Sequence, residues 1–297
     1  MLRVIAHNRF THHGNRGGYT QVLPHLAQSA EVSVIDLPLR RRGTRTAFEW
    51  WRSRRAAAGA DAELHVYPEQ TLFPRLVSNS VAAVCHQPPE RYLTYRPRDS
   101  LVRLALRSAA LLVALGPRQA QGLRAVNPTV EFVPHGVDTA WFAPSDTAID
   151  AQRYIVVRGW LRDAKQQAAL SDFARDLGGR VVEIGAGAPW ISNEEYRRAL
   201  RDSAAVLLWI SNGVASNAVL EAASCGKPVL GHLSGDLQSY VSEANRELLS
   251  SPVKVQLATP PDELVHVGYE NRKHVLSQCA WPDVAARLLC VVNSTIT

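Results

Sequence analysis

The stretch SNAVLEAASCGKPVLG, residues 216–231, predicts a short helix that leads directly into a strand. Asn217 can cap the helix, and Gly226 followed by Pro228 can end it. Ala and Leu occupy every side of the helix, which is typical of a helix that is packed all round. Glu221 is its only charge, and a carboxylate in such a place is costly unless hydrogen bonds satisfy it. Either a neighbouring loop or a ligand with hydroxyl donors, such as a ribose diol, must therefore meet Glu221.

Strand-like apolar runs alternate with helical patterns along the whole chain. The runs are Leu2–Ala6, Val32–Ile35, Leu64–Tyr67, Val81–Cys85, Ala110–Leu115, Val130–Val133, Tyr154–Val157, Arg180–Ile184, Ala205–Ile210 and Pro228–Gly231. Continuous apolar strands that are separated by helices indicate parallel sheets covered on both faces. A stretch with Pro and Asp at 143–150 divides the pattern in two. The sequence therefore predicts an α/β fold of two doubly wound, Rossmann-like domains, 1–147 and 148–280, which face each other across a ligand-binding cleft.

The composition favours an anionic ligand. The 297 residues carry a formal net charge of +6, so nucleotides, phosphates, acidic lipids and nucleic acids are the partners to consider. The four cysteines, at 85, 225, 279 and 290, have no metal-ligand spacing, and we expect reduced thiols and no bound metal. No apolar run reaches about 18 residues and no signal-peptide pattern opens the sequence, so we expect a cytoplasmic protein.

A glycine-rich loop follows the first predicted strand. Within it, Gly14, Gly17 and Gly18 leave backbone N–H groups open, and a helix is predicted to begin at Tyr19 or Thr20. Glycines that lead into a helix N-terminus form a ready anion site, although a plain tight turn uses the same residues. The spacing is not the GxGxxG of a dinucleotide-binding loop.

Two stretches of the second predicted domain also suit an anionic ligand. Arg158, Arg162 and Lys165 follow a predicted strand at the start of a helix. Three cations there can neutralise a diphosphate, or they can simply form a solvated face. Gly185 and Gly187 follow the next predicted strand, in VEIGAGAPW, and allow a nucleotide to approach the backbone closely.

Five segments, in order along the chain, resemble the family 4 glycosyltransferases, whose GT-B fold consists of two Rossmann-like domains. SNAVLEAASCGKPVLG resembles the family's nucleotide-binding signature, and VPHGVDTAWFAP at 133–144 resembles its interdomain signature. GNRGGYTQVLPHLA resembles its first glycine loop, and RGWLRDAK resembles its phosphate segment. QCAWPDVAARLLCVV at 278–292 resembles its C-terminal helix, so we expect the helix at about 281–297 to pack back on the first domain.

The resemblance implies a retaining, hexosyltransferase-like enzyme that moves a sugar from a nucleoside diphosphate sugar to an acceptor, without a cofactor or an essential metal. The first domain would bind the acceptor and the second domain the nucleotide sugar. By the same resemblance, Glu221 binds the nucleotide ribose, and Gly17 and Gly18 face the diphosphate. Lys165 stabilises the departing diphosphate, and His86, in AVCHQPPERY, lies near the reacting sugar.

Two positions depart from the family's pattern. Gly213 stands where the family usually has a glutamate that contacts the donor sugar, eight residues before the ribose-binding one. Trp160 stands where an arginine usually follows the glycine of the phosphate segment. These departures leave a non-catalytic nucleotide-sugar-binding protein open. A nucleotide-sugar epimerase on the same two-domain architecture is a second alternative, but it needs an acid/base pair near the sugar, and the sequence offers only His86 for that pair. The candidates to replace the missing groups are Ser211, Asn212, Ser216 and Asn217 for the glutamate, and Arg158 and Arg162 for the arginine.

The acceptor has to be inferred from the first domain, where the segment 40–58 holds seven arginines and two adjacent tryptophans. A basic amphipathic helix with interfacial aromatic residues suits an anionic membrane, so Arg40–Arg55 is a candidate for contact with the inner face of the membrane. A nucleic-acid acceptor would use the same charges. The simplest alternative is a solvated helix with Trp50 and Trp51 partly packed in the core. A lipid, a small molecule or a glycan is the expected acceptor, ahead of a nucleic acid.

Overall fold

The computed structural model describes residues 1–8, 18–36, 60–67, 78–92, 103–145, 149–158, 164–185, 187–189 and 191–296. The protein falls into two compact units. One is formed by Met1–His135 together with Trp281–Thr297, and the other by Gly136–Ala280. Each unit has its own parallel sheet with helices between the strands, so the predicted α/β fold class is confirmed.

The first unit has a six-stranded sheet in the order β2-β1-β3-β4-β5-β6. Its strands are β1 Leu2–Asn8, β2 Glu31–Asp36, β3 Ala62–Val66, β4 Ser78–Cys85, β5 Ala109–Ala114 and β6 Val130–Phe132. The chain begins at β1 and places β2 on one side of it and β3 on the other, both parallel to it. This reversal creates a topological switch point at the carboxyl ends of β1 and β3, where doubly wound sheets bind ligands.

The core of the first unit explains why its strands read as continuous apolar runs. β3 is buried at every position, and so is Val81–Cys85 within β4, because helices cover both faces of the sheet. The C-terminal helix contacts β4 and β5 and buries Leu288 and Val292. The described helices of this unit include the 3₁₀ turn Tyr19–Val22 and the α-helices Leu23–Leu26, Pro89–Tyr92, Pro117–Leu123 and Trp281–Ile296, and residues 103–107 are also helical.

The second unit has a four-stranded parallel sheet in the order β10-β9-β7-β8. Its strands are β7 Asp150–Arg158, β8 Arg180–Gly185, β9 Ser203–Gly213 and β10 Val229–Gly235. The order reverses at β7, so the switch point of this sheet lies at the carboxyl ends of β7 and β9. The described helices are Ala164–Asp176, Asn193–Asp202, Asn217–Ser224, Glu243–Ser250, Val253–Leu257 and Pro261–Gln278, with a 3₁₀ turn at Leu237–Tyr240.

The boundary between the units differs from the predicted domain boundary at 147/148. The structure divides the chain after His135, because the segment from Gly136 onward packs into the second unit. Phe142 is a buried member of the second core, and its carbonyl oxygen accepts hydrogen bonds from Ser224 Oγ at 2.8 Å and from Arg272 at 3.2 Å.

Several features of the described residues bear on the class of protein. No helix in that part of the chain has the length and apolar character needed to cross a membrane. The described residues also contain no group of three or more His, Cys, Asp or Glu side chains arranged to hold a metal ion. All four cysteines are free thiols.

Candidate functional site

Glu221 lies on the helix Asn217–Ser224, which follows the carboxyl end of β9. Its side chain is almost entirely buried, with 6% of the residue exposed. Oε2 accepts a hydrogen bond of 2.9 Å from the hydroxyl of Tyr196, whereas Oε1 accepts none from the described residues. Burial raises the pKa of Glu221 to about 7, and the hydrogen bond from Tyr196 acts in the opposite direction. A half-satisfied, buried carboxylate near the switch point is therefore available to a ligand with hydroxyl donors.

The start of the same helix corrects one prediction. Asn217 does not cap the helix; it is the first helical residue and is exposed. Ser216 is the N-cap residue, and its side chain makes no capping hydrogen bond. The positive end of the helix dipole at the carboxyl edge of the sheet favours a negative group there, which keeps Asn217 a candidate for contact with an anionic ligand.

The end of β9 has no room for the expected second carboxylate. A Cβ atom on Gly213 would lie 2.6 Å from Cδ1 of Leu237, which is fully buried, so a side chain at 213 requires Leu237 to move. Asn212, the preceding residue, has a φ of 54°, in the left-handed region that non-glycine residues rarely occupy. Its N–H donates to Ser234 Oγ at 2.8 Å, and its side chain is exposed. Asn212 is thus an exposed polar residue next to Gly213, the position at which the expected glutamate is missing.

Arg158, Gly185 and Gly187 are brought together by β7 and β8. Arg158 and Gly185 are register partners, and Gly185 has a φ of 102°. A Cβ atom at 185 would lie 2.3 Å from the carbonyl oxygen of Arg158, so only glycine fits. Gly187 has a φ of 81°, and the position of its absent Cβ lies 3.8 Å from Nη1 of Arg158. The guanidinium group therefore lies beside the glycine turn, as a phosphate-binding arrangement requires.

Arg158 forms an ion pair with Glu183, a carboxylate that the sequence did not indicate as part of the site. Nη2 of Arg158 lies 2.5 Å from Oε2 of Glu183, and Arg175 lies 2.8 Å from Oε1. Burial opposes the ionisation of Glu183, but hydrogen bonds from Arg175 and Ser171 and the charges of both arginines hold its pKa below the ordinary value. Arg175 also pairs with Asp172 at 3.1 Å, so two arginines and two carboxylates balance here.

The remaining phosphate-binding candidates are only partly within the described residues. Lys165 is exposed in the first turn of the helix Ala164–Asp176. Gly18 precedes the 3₁₀ turn Tyr19–Val22 with a φ of 93°, a conformation that favours glycine. Gly17 and Arg162 lie outside the described residues, and so does the basic segment Arg40–Arg55.

His86, just after β4, belongs to a group of five aromatic side chains at the carboxyl edge of the first sheet. We call this group, formed by Tyr19, Tyr67, His86, His135 and Trp281, the aromatic cluster. The imidazole of His86 stacks on the ring of Tyr67, with centroids 3.8 Å apart and planes 24° from parallel. Tyr19 meets His86 edge-on at 4.8 Å, and it meets His135 and Trp281 edge-on at 5.3 Å each. Burial, together with the nearby His135, holds the pKa of His86 well below its usual value, so the imidazole is neutral near pH 7.

The backbone on both sides of His86 is fixed by one buried glutamine. Gln119 Nε2 donates to the carbonyl oxygens of Cys85 at 2.9 Å and Gln87 at 2.8 Å. Oε1 of Gln119 accepts from the N–H of Leu115 at 2.7 Å. These bonds tie the end of β4 to the end of β5, and they hold His86 in place through its two neighbours.

A second polar array of the first unit was not predicted. Glu63, His65 and His7 form a buried chain between β1 and β3, in which Glu63 Oε2 lies 2.9 Å from His65 Nε2 and His65 Nδ1 lies 2.9 Å from His7 Nε2. Because an ionised carboxylate only accepts hydrogen bonds, Nε2 of His65 is the donor in its bond to Glu63. The i, i+2 spacing of Glu63 and His65 puts both on one face of β3, which is the signal in the sequence that could have revealed half of this chain.

A cavity of about 570 Å³ in the second unit contains none of the predicted site residues. It lies at the amino end of β7, where Asp150 and Arg153 contribute to its lining. Its three arginines are balanced by three carboxylates. Since doubly wound sheets bind ligands at the carboxyl ends of their strands, this cavity is not the candidate site.

Comparison with known proteins finds similar solved structures but no similar sequence family. No family model matches the chain, and no curated protein matches it. Among solved structures, Alr3699/HepE of Anabaena in complex with UDP has a TM-score of 0.70 at 12% identity, covering 99% of this chain and 100% of that one. Sucrose-phosphate synthase of Thermosynechococcus elongatus has a TM-score of 0.65 at 14% identity, covering 99% of each chain. AviGT4, a glycosyltransferase involved in avilamycin A biosynthesis, has a TM-score of 0.59 at 17% identity, covering 100% of this chain and 98% of that one.

These identities are low, so the likeness establishes the fold and not the reaction. The relatives match nearly the whole chain, and the two parallel sheets of this protein, with six and four strands, correspond to their architecture. The chain therefore has the GT-B fold of glycosyltransferases.

Proposed function

We propose that the protein is a retaining glycosyltransferase of the family 4 type, which moves a hexosyl group from a nucleoside diphosphate sugar to an acceptor hydroxyl. The observation that carries the proposal is Glu221, a buried carboxylate with one oxygen bonded by Tyr196 and the other accepting nothing from the described residues. A ribose diol brings two O–H donors, and one of them can complete the hydrogen bonding of Oε1.

The groups around Arg158 support a diphosphate next to that ribose. Arg158 lies beside the Gly185–Gly187 turn, where its guanidinium group can donate hydrogen bonds to a phosphate. Lys165 adds an exposed cation at the start of the next helix. HepE, whose fold spans this whole chain, was solved with UDP, which supports a nucleoside diphosphate as the ligand.

The proposed reaction breaks the bond between the anomeric carbon and the diphosphate oxygen. The acceptor oxygen bonds to the anomeric carbon on the same face, and the acceptor proton passes to the departing diphosphate. The barrier to this reaction arises from the negative charge that develops on the departing diphosphate. Fixed cations and N–H donors stabilise that charge, and removing one such donor typically costs ~3–4 kcal/mol. Arg158 and Lys165 would supply this charge stabilisation, and the neutral imidazole of His86 would contact the reacting sugar.

Nucleotide release tests the proposal. The protein is incubated with a panel of nucleoside diphosphate sugars, with and without lipid, glycan and nucleic-acid acceptors, and the free nucleotide is measured. Acceptor-dependent release supports transfer, and the anomeric configuration of the product, read by NMR, tests retention. Epimerised donor without release would instead identify an epimerase, and thermal stabilisation by the nucleotide sugar without turnover would identify a binding protein.

A pair of variants tests the assignment of Glu221. Glu221→Ala should weaken nucleotide binding at least tenfold, since a charge-assisted hydrogen bond is worth roughly 1.5–3 kcal/mol. Glu247→Ala, an exposed residue of the same unit, is the matched control and should bind the nucleotide as the wild type does. Unchanged affinity in Glu221→Ala would show that the ribose lies elsewhere.

The acceptor is proposed on the basis of charge alone. We infer that the basic segment Arg40–Arg55 places the protein on an anionic membrane surface, where a lipid or lipid-linked acceptor would be met. Flotation with vesicles of neutral phospholipid, with and without an anionic lipid, tests this at low and high salt. Binding that needs the anionic lipid and weakens with salt supports it, and no binding at low salt contradicts it.

A further inference from the structure

Tyr67 has a backbone conformation that aromatic residues seldom adopt. It follows β3 directly and has a φ of 58°, in the left-handed region. For a bulky residue such a φ persists only where the surrounding structure determines it, and residues of this kind concentrate at functional sites. The contacts of Tyr67 show what it is held against.

Both ends of the Tyr67 side chain are engaged. Its hydroxyl oxygen accepts a hydrogen bond of 3.0 Å from the backbone N–H of Tyr19. Its ring stacks on His86 at a centroid distance of 3.8 Å, the shortest ring separation in the aromatic cluster. The stacked ring is therefore fixed in position by the hydrogen bond at its far end and by the strained backbone at its near end.

Tyr67 and His86 are also the accessible members of the aromatic cluster. Both are partly exposed, whereas Tyr19, His135 and Trp281 are buried. A substrate that approaches the carboxyl edge of the first sheet would thus meet the stacked pair, with the three buried rings behind it.

We propose that Tyr67 is a positioning residue for His86, whose ring fixes the plane of the imidazole and shields one of its faces from water. This inference rests on the proposed function, in which His86 contacts the reacting sugar. The backbone of His86 is already held by Gln119 through the carbonyl oxygens of Cys85 and Gln87. The remaining freedom is the rotation of the side chain, and the stacked ring of Tyr67 limits it together with the edge contact of Tyr19.

The electrostatics agree with this role. Among the described residues, the titratable groups that face His86 include Tyr67 after β3, Tyr19 in the 3₁₀ turn and His135 after β6. Burial is the main reason that the pKa of His86 is low, and His135 adds to it. Because the ring of Tyr67 covers one face of the imidazole, its removal should admit water and raise that pKa.

The test measures His86 directly. The full-length protein is labelled in its histidines, the His86 signal is assigned by its loss in His86→Gln, and its titration is followed by NMR. In Tyr67→Asn, which removes the ring but accepts a left-handed φ, we expect the pKa of His86 to rise by about one unit or more. Tyr67→Phe keeps the stacked ring and should titrate as the wild type does. Tyr269→Asn, an exposed tyrosine of the second unit, is the control and should leave His86 unchanged.

The kinetic readout separates positioning from stability. Tyr67→Asn should lower kcat for transfer about tenfold or more, while KM for the nucleotide sugar stays near the wild-type value, because in the proposed function Glu221 and Arg158 bind the nucleotide and its diphosphate. The acidic limb of its pH–rate profile should move to higher pH together with the pKa of His86. A wild-type pKa in Tyr67→Asn, or an equal shift in Tyr67→Phe, would overturn the proposal. If the protein catalyses no transfer, the NMR titration still decides the role of Tyr67, so the two failures are distinguishable.

Discussion

The hydroxyl of Tyr196 donates a 2.9 Å hydrogen bond to Oε2 of Glu221 and joins the helices Asn193–Asp202 and Asn217–Ser224. Burial is the largest influence on both groups: it raises the pKa of Glu221 to about 7 and that of Tyr196 well above its ordinary value. Tyr196 therefore stays protonated and remains a donor, whereas Glu221 changes its charge close to neutral pH. Burying Glu221 therefore lowers the free energy of unfolding by an amount that depends on pH.

Replacing Glu221 with glutamine should stabilise the protein at alkaline pH. Below about pH 4.5 the carboxyl is protonated in both states. Between about pH 4.5 and 7 the unfolded chain ionises and the folded protein keeps its proton, so stability falls as the pH rises. Above pH 7 the loss is complete and amounts to about 3 kcal/mol for a shift of this size. Glutamine has no charge to bury and still accepts from Tyr196. Glu221→Gln should thus gain stability over the wild type at pH 8 but not at pH 4.5, as measured by urea unfolding.

The matched control for this comparison is Glu247→Gln, an exposed carboxylate of the same unit. It should change the stability by less than about 0.5 kcal/mol at either pH. A Glu221→Gln variant with the same difference from the wild type at pH 4.5 and pH 8 would mean that Glu221 titrates normally in the folded protein.

The fold could be predicted from the sequence because the central strands of both sheets are largely buried and the strands at the edges still carry apolar runs. All ten predicted apolar runs are strands, and the predicted short helix before β10 is present at Asn217–Ser224. The errors lie where polar residues extend an element or where the backbone changes type. β7 begins at Asp150, ahead of its apolar run, and the predicted helix from Tyr19 is a 3₁₀ turn followed by the short helix Leu23–Leu26. Hydrophobic periodicity carries no information about such ends.

The candidate site could be predicted only one residue at a time. Glu221 stood out as a single charge in an apolar helix, and its burial is confirmed. Its partner Tyr196 lies 25 positions away on another helix, and Glu183 meets Arg158 from the neighbouring strand. Neither pairing follows from local spacing, because both depend on how helices pack on the sheet. The stacking of Tyr67 on His86 was missed for the same reason.

Adding a side chain at Gly213 should destabilise the second unit. The Cβ of alanine at this position would lie 2.6 Å from Leu237 Cδ1, and overpacking of this kind typically costs ~1–3 kcal/mol. In the Leu237→Ala background, the same Gly213→Ala change should cost less, because the clash is gone. A double-mutant cycle by urea unfolding measures this coupling. Purely additive effects would show that Leu237 does not limit the space at position 213.

Arg272 should be essential for holding the segment that begins at Gly136 against the rest of the second unit. Its Nη1 donates to the carbonyl oxygens of Thr139 at 3.0 Å and Ser224 at 2.7 Å, as well as to that of Phe142. Arg272→Met keeps much of the aliphatic stem and leaves these acceptors without the guanidinium, which should cost about 2–4 kcal/mol in urea unfolding. Lys273→Met, an exposed cation at the next position, serves as the control. Equal stabilities of the two variants would contradict the assigned role.

Gln119 should be required both for the stability of the first unit and for the environment of His86. Gln119→Leu leaves the carbonyl oxygens of Cys85 and Gln87 and the N–H of Leu115 without their buried partner, and each unsatisfied group costs about 1–3 kcal/mol before the structure relaxes. We expect a loss of about 2–4 kcal/mol in urea unfolding, with a displaced His86 signal in the NMR spectrum. Gln121→Leu makes the same chemical change on the exposed side of the same helix and should leave both readouts near the wild type. The two variants differ only in the burial and the hydrogen-bond partners of the replaced glutamine. An equal loss of stability in both would therefore come from a change in the helix itself. The hydrogen bonds of Gln119 would then not be what fixes the end of β4.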